Sequence, residues 1–348
     1  MNGEIEIGPI RPPSEAESIL LRVTRNCSWN KCKFCNLYKG QRFSTRPLEE
    51  IKSDIDRIAL SRGSMSGHIY NSDSESVFLQ DANTMVLTYD KLREILLYLR
   101  EKLPGVKRVT SYGRVDSLIK FSVAQLTGLK EAGLSRIHSG YESGSDKVLA
   151  LINKGHTKAQ EIEAGQKVMA SGVELSVYFM PGVGGIGLSD ENAAETADVV
   201  NKIAPDFVRI RTFVSKKGVE FMGEFATEAI RECTDKEKAL ELKKMIEKLE
   251  TPKGYLYSDH IVNLLEEVNG NMKTDKRKML AAFEEFEKLD AGEQRRYQLA
   301  RRLAIVGAPS HMELLAGGQV EKIDAILSQL DDEEKFEAFL LRLLRHYI

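Results

Sequence analysis

Short apolar runs alternate with longer stretches of helical periodicity through the first 215 residues of the chain. The runs Ser18–Thr24, Ser76–Gln80, Val106–Tyr112, Leu134–Tyr141, Val173–Met180 and Phe207–Val214 predict strands. Helices are predicted from Pro47 to about Leu60, then over Tyr89–Leu103, Ser122–Ala132, Ser145–Ile152, Lys158–Ala170 and Ser189–Ile203. Their ends carry the expected punctuation: Pro47 at a first turn, Pro104 after one helix, Gly133 and Gly172 after two others. Strand and helix in alternation predict parallel βαβ units. Six strands fall short of the eight of a closed barrel. The expectation is therefore an α/β fold, a partial (β/α)6 barrel of TIM type. A doubly wound open sheet fits the same pattern.

Beyond Val214 the texture changes. Phe221–Glu250 reads as helical and heavily charged, and Tyr255–Val268, Lys276–Leu289, Glu293–Leu303 and Val320–Tyr347 also read as helical, so an all-helical C-terminal extension is expected. The predicted organisation is a polar, Pro-bearing surface lead-in over 1–17, a barrel over 18–215 and a helical region over 216–348. Arg295, Arg296, Arg301 and Arg302 form one basic helix face, which fits either a solvated surface or an RNA contact.

The 348 residues carry 50 basic and 52 acidic side chains, a formal net charge of −2. That balance gives no electrostatic reason for a nucleic acid or a membrane surface as main partner. The sequence holds no apolar run long enough to span a bilayer. The first residues, Met1–Ile5, show no basic segment followed by an apolar core, so no signal peptide is expected and a cytoplasmic, reduced chain fits best.

Cysteine placement changes the picture most. Three of the four cysteines, Cys27, Cys32 and Cys35, lie within nine residues just after the first predicted strand. Three thiolates leave one iron of a [4Fe–4S] cubane without a protein ligand, open to a substrate or cofactor. Zinc and a disulfide also take cysteines. The Cys32/Cys35 pair is not followed by a second pair, and the nearest downstream histidine, His68, stands alone. A disulfide framework belongs to oxidising compartments. Cys233 is isolated and supports no second cluster.

Ligands in parallel α/β folds meet the carboxyl ends of strands. There the sequence places Asp81 after the second strand and Glu142-Ser143-Gly144-Ser145-Asp146 after the fourth, with Asn153-Lys154-Gly155 further on. Ser143 and Asp146 have the spacing of a capping box. Tyr112 and Arg114 follow the third strand, the glycine-rich Met180–Gly185 turn the fifth, and Arg209, Arg211 and Thr212 the sixth. Asp81 serves either as a ligand for an ammonium group or as a turn cap. In the tail, Ser258-Asp259-His260 with Asn263 gives His260 and Asn263 a shared helix face, read either as substrate-facing groups or as a cap with a surface histidine.

The C-x4-C-x2-C spacing with Phe34 before the last cysteine resembles the cluster motif of radical S-adenosylmethionine (SAM) enzymes, whose commonest form is one residue shorter. The Glu-Ser-Gly-Ser-Asp…Asn-Lys-Gly stretch is similar to that of the Fe–S oxidoreductase branch, near coproporphyrinogen-oxidase-like and methylthiotransferase-like cores. The resemblance implies a [4Fe–4S] cluster on Cys27, Cys32 and Cys35 and SAM as cofactor. SAM would be held by Phe34 beside adenine, Asp81 at the amino group, Glu142 and Ser143 at ribose or methionine, and Lys154 at the carboxylate, with Arg211 as an anion partner for SAM or substrate. Asp259 and His260 are the candidates for contact with substrate. The implied activity is reductive cleavage of SAM to a 5′-deoxyadenosyl radical, which takes hydrogen from an unidentified small molecule, with flavodoxin or ferredoxin as reductant. Oxidoreductase chemistry under anaerobic conditions is expected. No auxiliary-cluster cysteines and no preceding cobalamin-binding segment are seen, which disfavours methylthiolation and cobalamin-dependent methylation. The alternatives are a tRNA-modifying enzyme and an Fe–S electron-transfer protein that never cleaves SAM.

Overall fold

The computed structural model describes residues 5–63, 71–215 and 230–347. His68 and the first part of the expected Phe221–Glu250 helix lie outside them, as does the expected boundary after residue 215.

The main sheet is mostly parallel. Its strands are β1 (Ile19–Arg22), β4 (Ser76–Gln80), β5 (Arg108–Tyr112), β6 (Leu134–Glu142), β7 (Glu174–Phe179), β8 (Phe207–Ile210), β9 (Tyr255–Tyr257) and β10 (Gly270–Asn271), neighbours in that order. A separate ribbon pairs β2 (Thr24–Arg25) with β3 (Ser44–Thr45) antiparallel. The six predicted strands are β1 and β4 to β8. The chain contains two compact units. One comprises Met1–Lys31, Leu37–Tyr141 and Ala159–Val177, the other Cys32–Asn36, Glu142–Lys158 and Tyr178–Ile348.

In the first unit, β1, β4, β5 and β6 run parallel, with Leu21 opposite Leu79 and Leu79 opposite Ser111. In β1, Ile19 and Leu21 are buried in alternation, while β4 buries Val77, Phe78, Leu79 and Gln80 in a near-continuous run, as strands covered on both faces do. Helix α1 (Leu48–Ser61) buries Ile51, Ile55 and Ile58, and α2 (Tyr89–Lys102) buries Leu92, Ile95 and Leu99. A four-residue turn of helix, α3 (Val115–Leu118), precedes α4 (Val123–Ala132), which starts in a Ser122/Gln125 capping box and stops at Gly133 with φ 127°. That left-handed stop is where glycine spares the steric cost of a Cβ. The lead-in is more than a surface segment. Glu15 is fully buried, pairs with Arg108 at 2.8 Å and His138 at 3.1 Å, and Gln80 holds the backbone of Gly8 and Ile10. Three prolines and a polar composition concealed this, because what buries the segment is a distant partner set. Helix α6 (Lys158–Ser171) belongs to this unit from Ala159 on.

The second unit contains α5 (Asp146–Leu151), α7 (Ser189–Ile203), α8 (Asp235–Glu247), α9 (Lys276–Lys288), α10 (Ala291–Arg302), α11 (Gly317–Leu327) and α12 (Glu333–Leu344). The C-terminal region is not all helical. Tyr255–Val268, expected as a helix, is instead β9 followed by turns. β9 pairs parallel with β8, Phe207 opposite Tyr255, and antiparallel with β10. Pro252 and Gly254 precede it and Gly270 follows, and Tyr255-Leu256-Tyr257 alternates in burial as a strand does. The expected Val320–Tyr347 helix is split, with Asp332 capping α12. The basic face of α10 is consumed internally. Arg302 forks onto Asp235 at 2.7 and 2.9 Å, Arg301 reaches Glu266 at 3.2 Å, Arg296 pairs with Asp324 at 2.7 Å, and Arg295 stacks on Phe336. Helical spacing gathered these arginines correctly but could not tell solvent from acidic neighbours on other elements.

Candidate active site

The cysteine loop leaves β2 through Asn26 and turns again at Asn30, with φ 66° and 50°. Asparagine tolerates this left-handed region better than other side chains. Its amide also fixes the loop: Asn26 Nδ2 donates to Arg42 O at 2.7 Å and Asn30 Nδ2 to Tyr38 O at 2.6 Å. Asn30 N–H points at Cys27 Sγ at 3.4 Å. None of the four cysteines is in a disulfide. Burial pushes the Cys233 thiol up to about 12, so it stays protonated and inert. Cys27 has a backbone donor for its sulfur, and Cys32 and Cys35 lie within the same nine residues of sequence, thiols of the kind an Fe–S cluster takes.

Asp81 is 1% exposed, and its carboxylate is taken by groups of its own unit. Arg22 Nη2 donates to Oδ2 at 2.7 Å, Asn26 N–H at 3.2 Å, and the Tyr38 hydroxyl donates to Oδ1. Burial and the neighbouring carboxylate raise the Tyr38 phenol far above its ordinary value, so it remains a donor. Two positions on, fully buried Asn83 donates to Ser28 Oγ at 2.9 Å and Ser117 Oγ at 2.8 Å and accepts from Arg114 N–H at 3.0 Å. The Arg114 guanidinium and the Lys31 ammonium flank the Trp29 ring. Asp81 and Asn83 thus hold the loop around Cys27. Asn26, Tyr38 and Asn83 were missed by motif reading. Their signal was local: an asparagine directly before a cysteine, and polar residues directly after a buried strand.

In the second unit, Cys32, Cys35 and Phe34 form a turn bonded to the end of α5. Cys32 O accepts from Cys35 N–H at 3.4 Å, and Lys33 N–H donates to Ile152 O at 2.9 Å. Phe34 packs against the apolar cluster of Val148, Ile152, Met180, Val183 and Phe213. Lys154 is 5% exposed; its Nζ reaches Glu142 Oε1 at 2.9 Å and lies 5.7 Å from the centre of the Phe34 ring. Glu142 itself has φ 71°, a conformation that costs an L-residue roughly 1–2 kcal/mol. Met180 N–H donates to its carbonyl at 2.8 Å and helps hold it there. Strain of this kind collects at functional sites. Gly144 is required, since a Cβ would come within 2.4 Å of Glu195 O.

Ser143 does not form the expected capping box. Ser145 caps α5, accepting from Val148 N–H, while Ser143 is fully buried and donates to Asn192 Oδ1 at 2.5 Å. The two serines are interchangeable in sequence, and packing against α7 decides between them. Arg211 is exposed just past β8, its N–H on Phe179 O. Asp259 is exposed, 3.6 Å from Arg209 Nη1. His260 and Asn263 share a turn rather than a helix face. Asn263 clamps the end of β8, accepting from Thr212 N–H and Oγ1 and donating to Ile210 O at 2.8 Å. His260 Nδ1 accepts from Val262 N–H at 3.2 Å, and burial, helped by Arg211, lowers its pKa to about 4. It is a neutral imidazole carrying its proton on Nε2.

The radical SAM superfamily matches residues 21–198, and the chain belongs to that superfamily. It is therefore an enzyme using a [4Fe–4S] cluster and SAM. The chain is 28% identical over 205 residues to tRNA-2-methylthio-N(6)-dimethylallyladenosine synthase of Syntrophus aciditrophicus, covering 58% of this chain and 42% of that one. It is 28% identical over 176 residues to 4'-phospho-dehydrooxetanocin synthase of Priestia megaterium, covering 47% and 23%. It spans less than half the length of these curated relatives. Among solved structures, coproporphyrinogen III oxidase of Escherichia coli aligns with a TM-score of 0.48 at 14% identity, covering 66% of this chain and 51% of that one. No helix among the described residues is long and apolar enough to cross a membrane.

Proposed function

We propose that Cys27, Cys32 and Cys35 hold the cluster, that SAM occupies the remaining iron, and that the enzyme abstracts hydrogen from a small-molecule substrate. When bound, the cluster and SAM supply one-electron cleavage of a sulfonium and a hydrogen-abstracting fragment. The protein's part is positioning and exclusion of water. The observation that carries this reading is the Lys154–Glu142 pair against Phe34, beside the Cys32–Cys35 turn. Lys154 offers the ligand carboxylate a point charge, Glu142 and Ser143 lie at its ribose or methionine part, and Phe34 offers a flat apolar face. Arg211 is a second cation for an anionic group. Asp81 supports the loop as a positioning residue, because Arg22, Tyr38 and Asn26 already occupy its carboxylate. Neutral His260 offers an Nε2–H donor and exposed Asp259 an acceptor to substrate. Flavodoxin or ferredoxin is the proposed electron source.

A tRNA substrate is the second reading, favoured by the tRNA-modifying relative. The test is anaerobic: reconstitute the cluster, add SAM and dithionite, and follow 5′-deoxyadenosine alone, with metabolite fractions and with RNA fractions. Formation enhanced by metabolites is expected. Enhancement by RNA alone would replace the substrate assignment. A loaded cluster that binds no SAM would replace the whole reading with electron transfer.

A further inference from the structure

Glu241 lies on α8, outside every motif of the sequence, and is 2% exposed. Three donors from two segments of the second unit, the turn after β7 and helix α7, point at it. Gly182 N–H, in the turn after β7, reaches Oε1 at 3.0 Å. Asn192 Nδ2, on α7, reaches the same oxygen at 2.6 Å. Ser189 Oγ, at the start of α7, reaches Oε2 at 2.7 Å. Asn192 extends the network. Its Oδ1 accepts from Ser143 Oγ at 2.5 Å and from Thr196 Oγ1 at 3.4 Å. Those hydroxyls in turn accept from Ser145 N–H and Gly144 N–H, each at 3.0 Å.

The direction of these bonds matters. Each hydroxyl takes a backbone N–H of the Ser143–Ser145 turn and passes its own proton towards Asn192, which passes an amide proton to Glu241. A chain of donors pointing one way must end on an acceptor. Glu241 is that end. Lys238, on the same helix, directs its Nζ to Glu232 at 3.3 Å.

We propose that Glu241 is a positioning residue for SAM: through Asn192 and Ser143 it fixes the turn that carries Glu142, and through Gly182 it fixes the turn after β7. This rests on the proposed function, in which the Glu142–Ser143 turn receives SAM. It assigns α8, the first helix of the C-terminal region among the described residues, a task in cofactor binding, although it carries none of the residues expected to touch SAM.

The test measures SAM affinity by equilibrium dialysis, with iron and sulfide content and the EPR signal of the reduced cluster with and without SAM. Glu241→Ala leaves three buried donors unanswered, and Asn192→Ala cuts the relay while leaving Gly182 and Ser189 on Glu241. Glu241→Gln keeps a carbonyl oxygen for Gly182 and Asn192, and its amide can donate to Ser189 once that hydroxyl turns. Removing an outer-shell partner typically costs about 10- to 100-fold in affinity. A loss of that order is expected in the alanine variants, with unchanged cluster content, a diminished SAM-induced EPR change, and recovery in Glu241→Gln. Should Glu241→Ala fail to fold, Asn192→Ala carries the measurement. Equal SAM affinity in wild type and Asn192→Ala would overturn the relay and leave the proposed function standing, as would a Gln variant as weak as the Ala variant. A wild-type protein with a full cluster and no SAM binding would overturn both.

Discussion

His260 illustrates how much of this site is decided by protonation rather than by residue type. Its Nδ1 accepts from Val262 N–H, and burial beside Arg211 brings its pKa from 6.5 to about 4. Between those values an unfolded chain binds a proton at this position and the folded one does not. Stability contributed by the site is therefore present above about pH 6.5 and lost as pH falls towards 4. Glutamine at 260 removes the titration. The gap in melting temperature between wild type and His260→Gln is expected to shift against wild type on acidification from pH 7 to 4.5, as followed by circular dichroism. Parallel curves would show that His260 is protonated in the fold and that its Nδ1 does not accept from Val262. The same chemistry keeps His260 uncharged at neutral pH, where it can donate through Nε2 but does not oppose the nearby Arg211.

At the scale of elements, the α10 arginines separate what exposure alone would merge. Arg302 is buried and forks onto Asp235, itself buried at the first turn of α8; Arg296 and Asp324 pair in solvent. Removing one partner of a buried pair strands the other charge, at about 3–5 kcal/mol. An exposed pair contributes roughly 0–1 kcal/mol. Arg302→Met is thus expected to destabilise the protein by about 3–5 kcal/mol and Arg296→Ala by less than about 1 kcal/mol, read from urea midpoints at constant slope. Equal losses would refute the burial argument. These arginines also mark where sequence stops being informative. The cysteine loop was legible because its chemistry is written in spacing along nine residues. So was Glu142-Ser143-Gly144-Ser145, whose glycine is forced by a carbonyl 2.4 Å from where a Cβ would sit. Periodicity found the six long strands and their helices, since apolar faces repeat locally. It failed at 255–268, where an i, i+3 pair belongs to a turn clamped by Asn263, and at Glu241, which on a charged helix looks like one more solvated acid. Both depend on distant partners, β8 and Thr212 in the one case and Gly182, Ser189 and Asn192 in the other, and no local pattern records those.

Across the whole molecule, charge bears on the choice between the two substrate classes. The chain has 50 basic and 52 acidic residues, and the basic face of α10 is spent on Asp235, Glu266, Asp324 and Phe336. A protein that binds RNA through its backbone gains affinity by releasing counterions, and each phosphate neutralised adds about 0.7–0.9 to the slope of log affinity against log salt. With acids balancing bases and the α10 arginines engaged, neither the net charge nor that helix face gives electrostatic ground for such a contribution. The expectation is that total tRNA is bound only weakly, with a salt slope shallower than about 2 between 50 and 200 mM salt, by filter retention of the cluster-loaded protein. A slope several times steeper would mean that lysines and arginines outside the pairs described here converge on phosphate. That result would move the substrate to RNA without disturbing the assignment of SAM or cluster, because neither Lys154 nor the cysteines contribute to a backbone contact of that kind. A shallow slope together with metabolite-enhanced 5′-deoxyadenosine would fix the substrate as a small molecule, and the exposed Arg211 would then be the first side chain to test for recognition of an anionic group on it.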